Sequence, residues 1–323
     1  MFRKPSKKKS GLKVISYGKE GTGKTIFALS FPSVAIIDSE NGATFYEGTE
    51  RGKNIKLVAN TQSYKELDEA LDFIEDVYDE EGIETLVTDS LTKIRQNLSD
   101  AVLNVDIKRN RRSGMADADL NSNISIRSWG TIGTISKRQS NRKIDLSTNI
   151  NIVDIAQLKE IKDDNGDVVD QVPDVDKSAP YDYDIKLRHY TESDGKGGVR
   201  FLALVEKDRT ETYKTGTVLE NPSFENWQTA LERVSDGEEL KTSYSDQAEK
   251  SAKAYEEEVE EESKTTKEKV VDIGKALSDA DRKAMMADIK SEEINVAKLD
   301  KLTKSEMEKV DKILDEYRKK IEG

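Results

Sequence analysis

One stretch of eight residues constrains the fold of this chain more than any other. It runs from Gly18 to Thr25 and fits the pattern G-x-x-x-x-G-K-[ST] of a phosphate-binding loop. Its glycines let the backbone turn tightly, so that successive N–H groups face phosphate oxygens. The lysine reaches the β- and γ-phosphates, and the last hydroxyl binds Mg²⁺. The pattern predicts that the whole loop holds a nucleoside triphosphate: Gly18, Lys19, Glu20, Gly21, Thr22, Gly23, Lys24 and Thr25.

The sequence around the loop predicts the fold. Residues 12–17 form an apolar run typical of a strand that enters such a loop, and residues 26–29 predict the buried face of a helix that leaves it. Apolar strands and an amphipathic helix then alternate, which predicts an α/β fold with a mostly parallel sheet flanked by helices. The predicted strands are 33–37, 55–58 and 85–88, and the predicted helix is 64–78.

Acidic residues follow two of these strands, at the sheet edge where ligands bind in parallel folds. Asp89 is predicted to share a Mg²⁺ ion with Thr25, the alternative being an acid that only caps the next helix. Many P-loop ATPases of the AAA+ type carry a glutamate directly after this aspartate, but here the next residue is Ser90. We therefore predict that Glu40 is the catalytic base, unless it is a solvated loop acid.

The order of motifs resembles that of the RecA-like ATPases. In that family a strand ending in Asp-x-Glu carries the catalytic glutamate, as in IIDSE at residues 36–40, and the second acidic strand ends in Asp-Ser, as at Asp89 and Ser90. A later apolar strand, 150–156, precedes Gln157. Another, 201–204, precedes a Lys-x-Arg pair.

The resemblance covers residues 12–227 and is nearest to the Sak-type single-strand annealing ATPases of phages. It implies an ATPase with ATP and Mg²⁺ as cofactors, stimulated by single-stranded DNA and by assembly into a ring or filament. Gln157 would sense the γ-phosphate, while Lys207 and Arg209 would reach a neighbouring subunit's ATP. Alternatively, Gln157 is an ordinary polar residue at a strand end, and Lys207 and Arg209 are surface charges without a role.

A basic interval between residues 104 and 145 carries nine Lys or Arg against four Asp, the reverse of the overall net charge of −12. In RecA-like folds the first DNA loop falls here, so we predict phosphate contacts there. Trp129, Ile132 and Ile135 have helical spacing, which favours a core position for the tryptophan over a base-stacking platform. Residues 158–180 are either the second DNA loop or a β-hairpin. The candidate DNA contacts are Lys108, Arg109, Arg111, Arg112, Lys137, Arg138 and Arg142.

Composition excludes several kinds of site. There is no cysteine, so disulfides and thiolate chemistry are absent. The single histidine, His189, cannot form a histidine metal cluster and is expected to be structural. No apolar run reaches the length of a membrane span, and the basic start lacks a signal-peptide core. We expect no membrane partner and a cytoplasmic location, in the host if the chain is phage-encoded.

Four segments are predicted from shifts in composition. They are a basic tail (1–11), a RecA-like ATPase domain (12–234), an acidic linker (235–266) and a small C-terminal helical module (267–323). Ser278 and Thr303 begin capping-box patterns in the module. The module would bind a single-strand-binding or replication protein, assist homo-oligomerisation or contact DNA, and the sequence does not decide among these.

Three functions are compatible with these features. The first is a DNA-dependent ATPase for strand annealing or recombination. The second is a P-loop kinase of a small acceptor, in which the arginines near residue 110 would close over the phosphates. The third is a nucleotide-gated module that recruits replication proteins through its C-terminal helices.

Overall fold

The structure, a computed structural model, describes residues 4–115, 117–118, 122–238 and 243–322. Parts of the predicted tail (1–3) and linker (239–242) lie outside these ranges. The chain divides into two compact units, Met1–Ser245 and Asp246–Gly323. Among the described residues, no helix combines the length and apolar character needed to cross a bilayer.

The first unit is built on one sheet. Within the described residues the strands are β1 Lys13–Gly18, β2 Val34–Asp38, β3 Ile55–Asn60, β4 Thr85–Asp89, β5 Asn151–Lys162, β6 Val168–Pro173, β7 Ile185–Ser193, β8 Val199–Asp208 and β9 Val218–Glu220. Six of these strands run parallel in the order β3-β2-β4-β5-β1-β7, β8 and β9 extend the sheet antiparallel, and β6 pairs with the outer half of β5. The predicted α/β class, a RecA-like P-loop core with a mostly parallel sheet, is confirmed.

Helices cover both faces of the sheet, which explains why β2 and β4 are buried along their whole length. One core holds Phe27, Phe31 and Trp227, and another holds Leu67 and Ile94. The described helices of this unit are α1 Lys24–Leu29, α2 Tyr64–Val77, α3 Leu91–Arg112, α4 Ile126–Leu146 and α5 Gln228–Glu232.

Strand register brings the motifs to one edge. Gly18 at the end of β1 is paired with Gln157 on β5 and with His189 on β7. Asp38 at the end of β2 is level with Asp89 at the end of β4. Residues that are far apart in sequence therefore surround the carboxyl end of β1.

The segment after Gln157 is a β-hairpin. Strands β5 and β6 pair antiparallel from Leu158 to Pro173, and residues 163–167 form the turn, with Gly166 at φ 88°. Residues 158–173 therefore form the β-hairpin that the sequence offered as one alternative for residues 158–180.

The second unit has its own small core. Val270, Met285, Val310 and Leu314 are buried within it. The hydroxyls of Ser278 and Thr303 both accept hydrogen bonds from the backbone N–H three residues later, and at Thr303 the backbone N–H also donates to Glu306, which completes the predicted capping box there. The helices described here are α6 Tyr244–Ser263, which begins at the end of the first unit, α7 Thr266–Ala276, α8 Asp279–Ser291 and α9 Lys304–Glu322.

Candidate nucleotide-binding and catalytic site

A cleft of about 670 Å³ opens at the carboxyl ends of β1, β4 and β5. Its walls combine the glycine-rich loop with the acids predicted from the strand ends. The cleft is lined by Gly18, Lys19, Glu20, Gly21, Lys24, Thr25, Glu40, Asp89, Ser90, Ile155, Gln157, Leu158 and Glu160.

The loop has the conformation that its glycines permit. Gly21 and Gly23 have φ of 69° and 92°, in the left-handed region that other residues avoid. A Cβ on Gly18 would lie 2.4 Å from the carbonyl oxygen of His189, so β7 excludes any side chain there. The loop between β1 and α1 is therefore shaped by local backbone freedom and by close packing against the next strand.

Lys24 folds back over the loop. Its Nζ donates to the carbonyl oxygens of Gly18 (3.1 Å) and Lys19 (2.6 Å), and burial lowers its pKa. A phosphate in the loop would offer charged oxygens in place of these two carbonyls, which is the stronger kind of hydrogen bond for an ammonium group.

Thr25 and Asp89 meet as the motif predicts. The Thr25 hydroxyl donates to Asp89 Oδ2 at 2.6 Å. Asp89 is 7% exposed, and its pKa is raised to about 6, chiefly by burial and also by the nearby Glu40 and Asp38, while the Thr25 hydrogen bond and Lys24 oppose the rise. Two adjacent oxygen donors beside the loop are the kind of ligands that Mg²⁺ takes alongside phosphates and water, so these residues fit a magnesium ion.

Replacing Asp89 with asparagine is expected to stabilise the ligand-free protein while removing Mg²⁺-dependent turnover. A raised carboxyl pKa means that folding stability is lost as the pH rises from the ordinary value of 3.8 to about 6. Asparagine keeps the shape without the charge, so we expect a gain of about 2 kcal/mol in the free energy of unfolding at about pH 7.5. Thermal melts without Mg²⁺ measure this.

The gain from Asp89→Asn should shrink as the pH falls toward about 4, where the folded wild-type carboxyl is protonated and little of the pH-dependent loss of stability remains. A gain that is the same at both pH values would contradict the proposed origin of the effect. A double variant that also replaces Thr25 with alanine tests whether the Thr25 hydrogen bond still contributes.

Glu40 is held by two side chains. Its Oε1 accepts hydrogen bonds from the Ser90 hydroxyl (2.6 Å) and from Gln157 Nε2 (2.9 Å). Sequence reasoning treated Ser90 as the place where a glutamate is missing and as part of an Asp-Ser strand ending, and no signal in the sequence indicated this contact. The two donors fix one carboxylate oxygen and leave the other for a water molecule in the cleft.

Asp38, the first acid of Asp-x-Glu, shapes the turn before Glu40. Its two carboxylate oxygens accept from the backbone N–H of Glu40 (3.0 Å) and of Ala43 (2.7 Å). The Ser39 hydroxyl accepts from Ser90 N at 2.8 Å, which fastens this turn to the end of β4. Asp38 therefore positions Glu40 and does not face the cleft itself.

The hairpin is attached to the nucleotide cleft. Gln157, where β5 leaves the sheet, contacts Glu40, and Lys19 of the loop forms an ion pair with Glu160 at 3.5 Å. The Thr92 hydroxyl of α3 links Gln157 to Asp174, the residue directly after β6. It donates to the carbonyl oxygen of Asp174 and accepts from the backbone N–H of Gln157. A change at the phosphate site therefore reaches both strands of the hairpin through direct contacts.

Lys207 and Arg209 lie away from this cleft. Both donate to the carbonyl oxygen of Tyr181, and Arg209 N donates to the carbonyl oxygen of Asp184, which is level with Lys13 at the start of β1. The loop begins at the other end of β1, about 16 Å away for a strand of this length. The structure does not bring the pair to the nucleotide site of its own chain.

The basic residues of the interval 104–145 fall into two groups. Arg138 pairs with Asp68, and Arg142 pairs with Asp72 and Glu75, so acids of α2 neutralise both. At the end of α3, Lys108, Arg109, Arg111 and Arg112 are all exposed, with Arg109 paired to Asp106. Lys137 on α4 is also exposed.

The prediction of a core position for Trp129 is wrong. Its side chain is 48% exposed, whereas Ile132 is buried. The buried face of α4 is set by Ser128, Ile132 and Gln139, and Trp129 lies about 100° around the helix from Ser128. The helical period was recognised correctly, but the face that is buried was not.

His189 has the structural environment that the sequence favoured. Its ring is 2% exposed and packs on Phe27, with the ring centroids 5.4 Å apart. Burial, together with the positive charge of Lys24, lowers its pKa to about 3, so the ring is neutral. The ring packs behind the loop, against Phe27 of α1.

Known proteins share much of the first unit. A family model described as AAA domain matches residues 10–214, which include the loop, Glu40, Asp89 and Gln157. A solved structure of a KaiC-like protein from the hyperthermophilic archaeon Pyrococcus horikoshii OT3 is similar, with 14% sequence identity and a TM-score of 0.40 over 65% of this chain and 85% of that chain. No curated protein matches the chain significantly.

Proposed function

The chain belongs to the AAA-domain family of P-loop ATPases, and from this premise we propose that it is an ATP- and Mg²⁺-dependent RecA-like ATPase that binds single-stranded DNA. In phage DNA metabolism it would promote strand annealing or recombination. Copies of the chain would assemble into a ring or filament, with ATP at the subunit interfaces.

One observation carries the proposal: Ser90 and Gln157 both donate to Glu40. A carboxylate oriented in this way can position water against the γ-phosphate, which is the part of hydrolysis that a protein side chain supplies. The same Gln157 begins the hairpin. The contact therefore supports coupling between hydrolysis and a segment that projects from the ATPase core.

Four side chains of the cleft and the loop amides have roles in this mechanism. The loop amides and Lys24 hold the phosphates, and Thr25 and Asp89 hold Mg²⁺, which neutralises charge on the phosphate oxygens when bound. Glu40 orients the attacking water and accepts its proton. In the closed assembly, Lys207 and Arg209 of one copy approach the nucleotide of another.

Single-stranded DNA is assigned to the basic surface of α3 and α4. Lys108, Arg112 and Lys137 are exposed and form no ion pair in the described part of the chain. Phosphate contacts of this kind give sequence-independent, salt-sensitive binding. Arg138 and Arg142 are left out of this surface because α2 already neutralises their charge.

Single-stranded DNA should raise the ATPase rate several-fold in the wild-type chain, and Lys24→Ala should remove turnover with and without DNA. Removing Lys24 deletes the ammonium group that contacts the phosphates, while the exposed lysines of α3 and α4 remain. DNA retention by the variant, measured at low and high salt, is therefore the control. An unstimulated rate together with no DNA retention at low salt would refute the proposed function.

A further inference from the structure

A second cavity, of about 240 Å³, lies between α3, α4 and residues 175–183. None of its lining residues borders the nucleotide cleft. Pockets for drug-sized ligands usually measure about 300–1,000 Å³, so an occupant of this one is smaller, such as a single ring system.

The walls of the cavity are mostly apolar, although α4 contributes the polar Ser136 and Ser140, and its floor is a closed polar network. Leu91, Ile94 and Leu98 of α3 form one wall. On the floor, Lys143 and Tyr183 both donate to the carboxylate of Asp154, and each of the three residues is less than 9% exposed. Because these groups satisfy one another, an occupant that touches them need not carry a charge.

The mouth of the cavity offers both donors and acceptors. Arg95 lines the cavity with a side chain that is 26% exposed, and Lys137 is exposed. Asp176 and Asp182 supply carboxylates. Apolar walls with a mixed polar mouth suit a neutral, planar group that has apolar faces and a hydrogen-bonding edge. A nucleobase has these properties.

We propose that this cavity, the base pocket, receives one unpaired nucleobase of the bound single strand. The inference rests on the proposed function, because it names where that strand is held. Lys137, exposed at the mouth, can contact the adjacent phosphate. Trp129 lies about two turns before Lys137 and about 80° around α4 from it, and presents a half-exposed ring on which a neighbouring base can stack.

The base pocket is connected to the catalytic site. Arg95 contacts Asp174 at 4.0 Å, and the backbone N–H of Asp174 donates to the carbonyl oxygen of Gln157 at 2.8 Å. Leu91, in the wall, directly follows the Asp89-Ser90 pair. Arg95 is therefore linked through Asp174 to Gln157, which donates to Glu40. A base that contacts Arg95 can influence the catalytic site along this route.

Two glycines of α4 provide a matched test. A Cβ on either Gly130 or Gly133 would meet no atom within 4 Å, so both positions accept a side chain. Gly133 lines the base pocket and Gly130 does not. Gly133→Leu should fill the pocket mouth, whereas Gly130→Leu adds the same bulk to the same helix outside it.

The measurement compares the affinity for an oligothymidylate with that for an abasic oligonucleotide of the same length, which has the same phosphates. Wild type should bind the thymidylate strand at least about fivefold more tightly, because base contacts of this kind are worth that much or more. Gly133→Leu should bring the ratio close to one. Gly130→Leu should keep it, and Gly133→Ala, with a smaller group, should keep most of it.

The outcomes separate this inference from the proposed function. Three results would overturn the base pocket. They are a ratio near one in wild type, a ratio that Gly133→Leu leaves unchanged, and displacement of the abasic strand by free thymidine, since that strand has no base to occupy the pocket. DNA-stimulated ATPase activity would stand in each of these cases. Failure to bind either strand would refute the proposed function itself.

Discussion

Glu40→Gln is expected to lower ATP turnover by at least about 100-fold and to leave ATP binding intact, since positioned acid–base groups contribute about 10²–10⁴ in rate. Glutamine has the same shape, and its carbonyl oxygen can still accept from Ser90 and Gln157. What disappears is the charge and the proton acceptor. Loss of a negative charge beside the γ-phosphate should, if anything, tighten nucleotide binding.

Single-turnover hydrolysis and fluorescent-nucleotide titration measure the two effects separately. Ser90→Ala and Gln157→Ala each remove one hydrogen bond to Glu40, so both should lower turnover less than Glu40→Gln does. Turnover by Glu40→Gln within a few-fold of wild type would remove Glu40 from the mechanism. Loss of nucleotide binding by that variant would instead indicate a damaged fold, which a thermal melt checks.

The sequence predicted those parts of the site that depend on local pattern. The glycines of the loop impose a backbone conformation on their own positions, and apolar runs ending in Asp38 and Asp89 identify buried parallel strands with acids at their carboxyl ends. The relation between Thr25 and Asp89 then follows, because the carboxyl ends of parallel strands in one sheet meet at the same edge.

Contacts fixed by tertiary register were beyond the sequence. Ser90 reaches Glu40 only because Asp38 and Asp89 are level across β2 and β4. The identities of Ser90 and Glu40 do not reveal how β2 and β4 are aligned with each other.

The same limit explains the arginines of α4. Arg142 appeared to be a free cation in the sequence, but α2 packs beside α4 and presents Asp72 and Glu75 to it. Charge counted along the chain differs from charge exposed on the surface whenever helices that are distant in sequence pack together.

The second large effect is a recovery of ATP turnover when two variants, each nearly inactive alone, are mixed. Lys24→Ala disables the loop of its own subunit, and the double change Lys207→Ala with Arg209→Ala removes the distant cations. Since cationic groups supplied to a transferring phosphoryl group contribute about 10³–10⁵ in rate, each variant alone should be nearly inactive. An equal mixture should recover about a quarter of wild-type turnover, the share of intact interfaces expected from random assembly.

The geometry dictates this design. Lys207 and Arg209 bond to carbonyl oxygens of residues 180 and 181, at the end of β1 opposite the loop, so they do not reach the site of their own chain, and the proposed function assigns them to a site on another copy. Their loss also removes those hydrogen bonds, and the melting temperature of the double variant is therefore the control for folding. Full turnover by the double variant alone, or a mixture no more active than the mean of its parts, would show that each chain completes its own site.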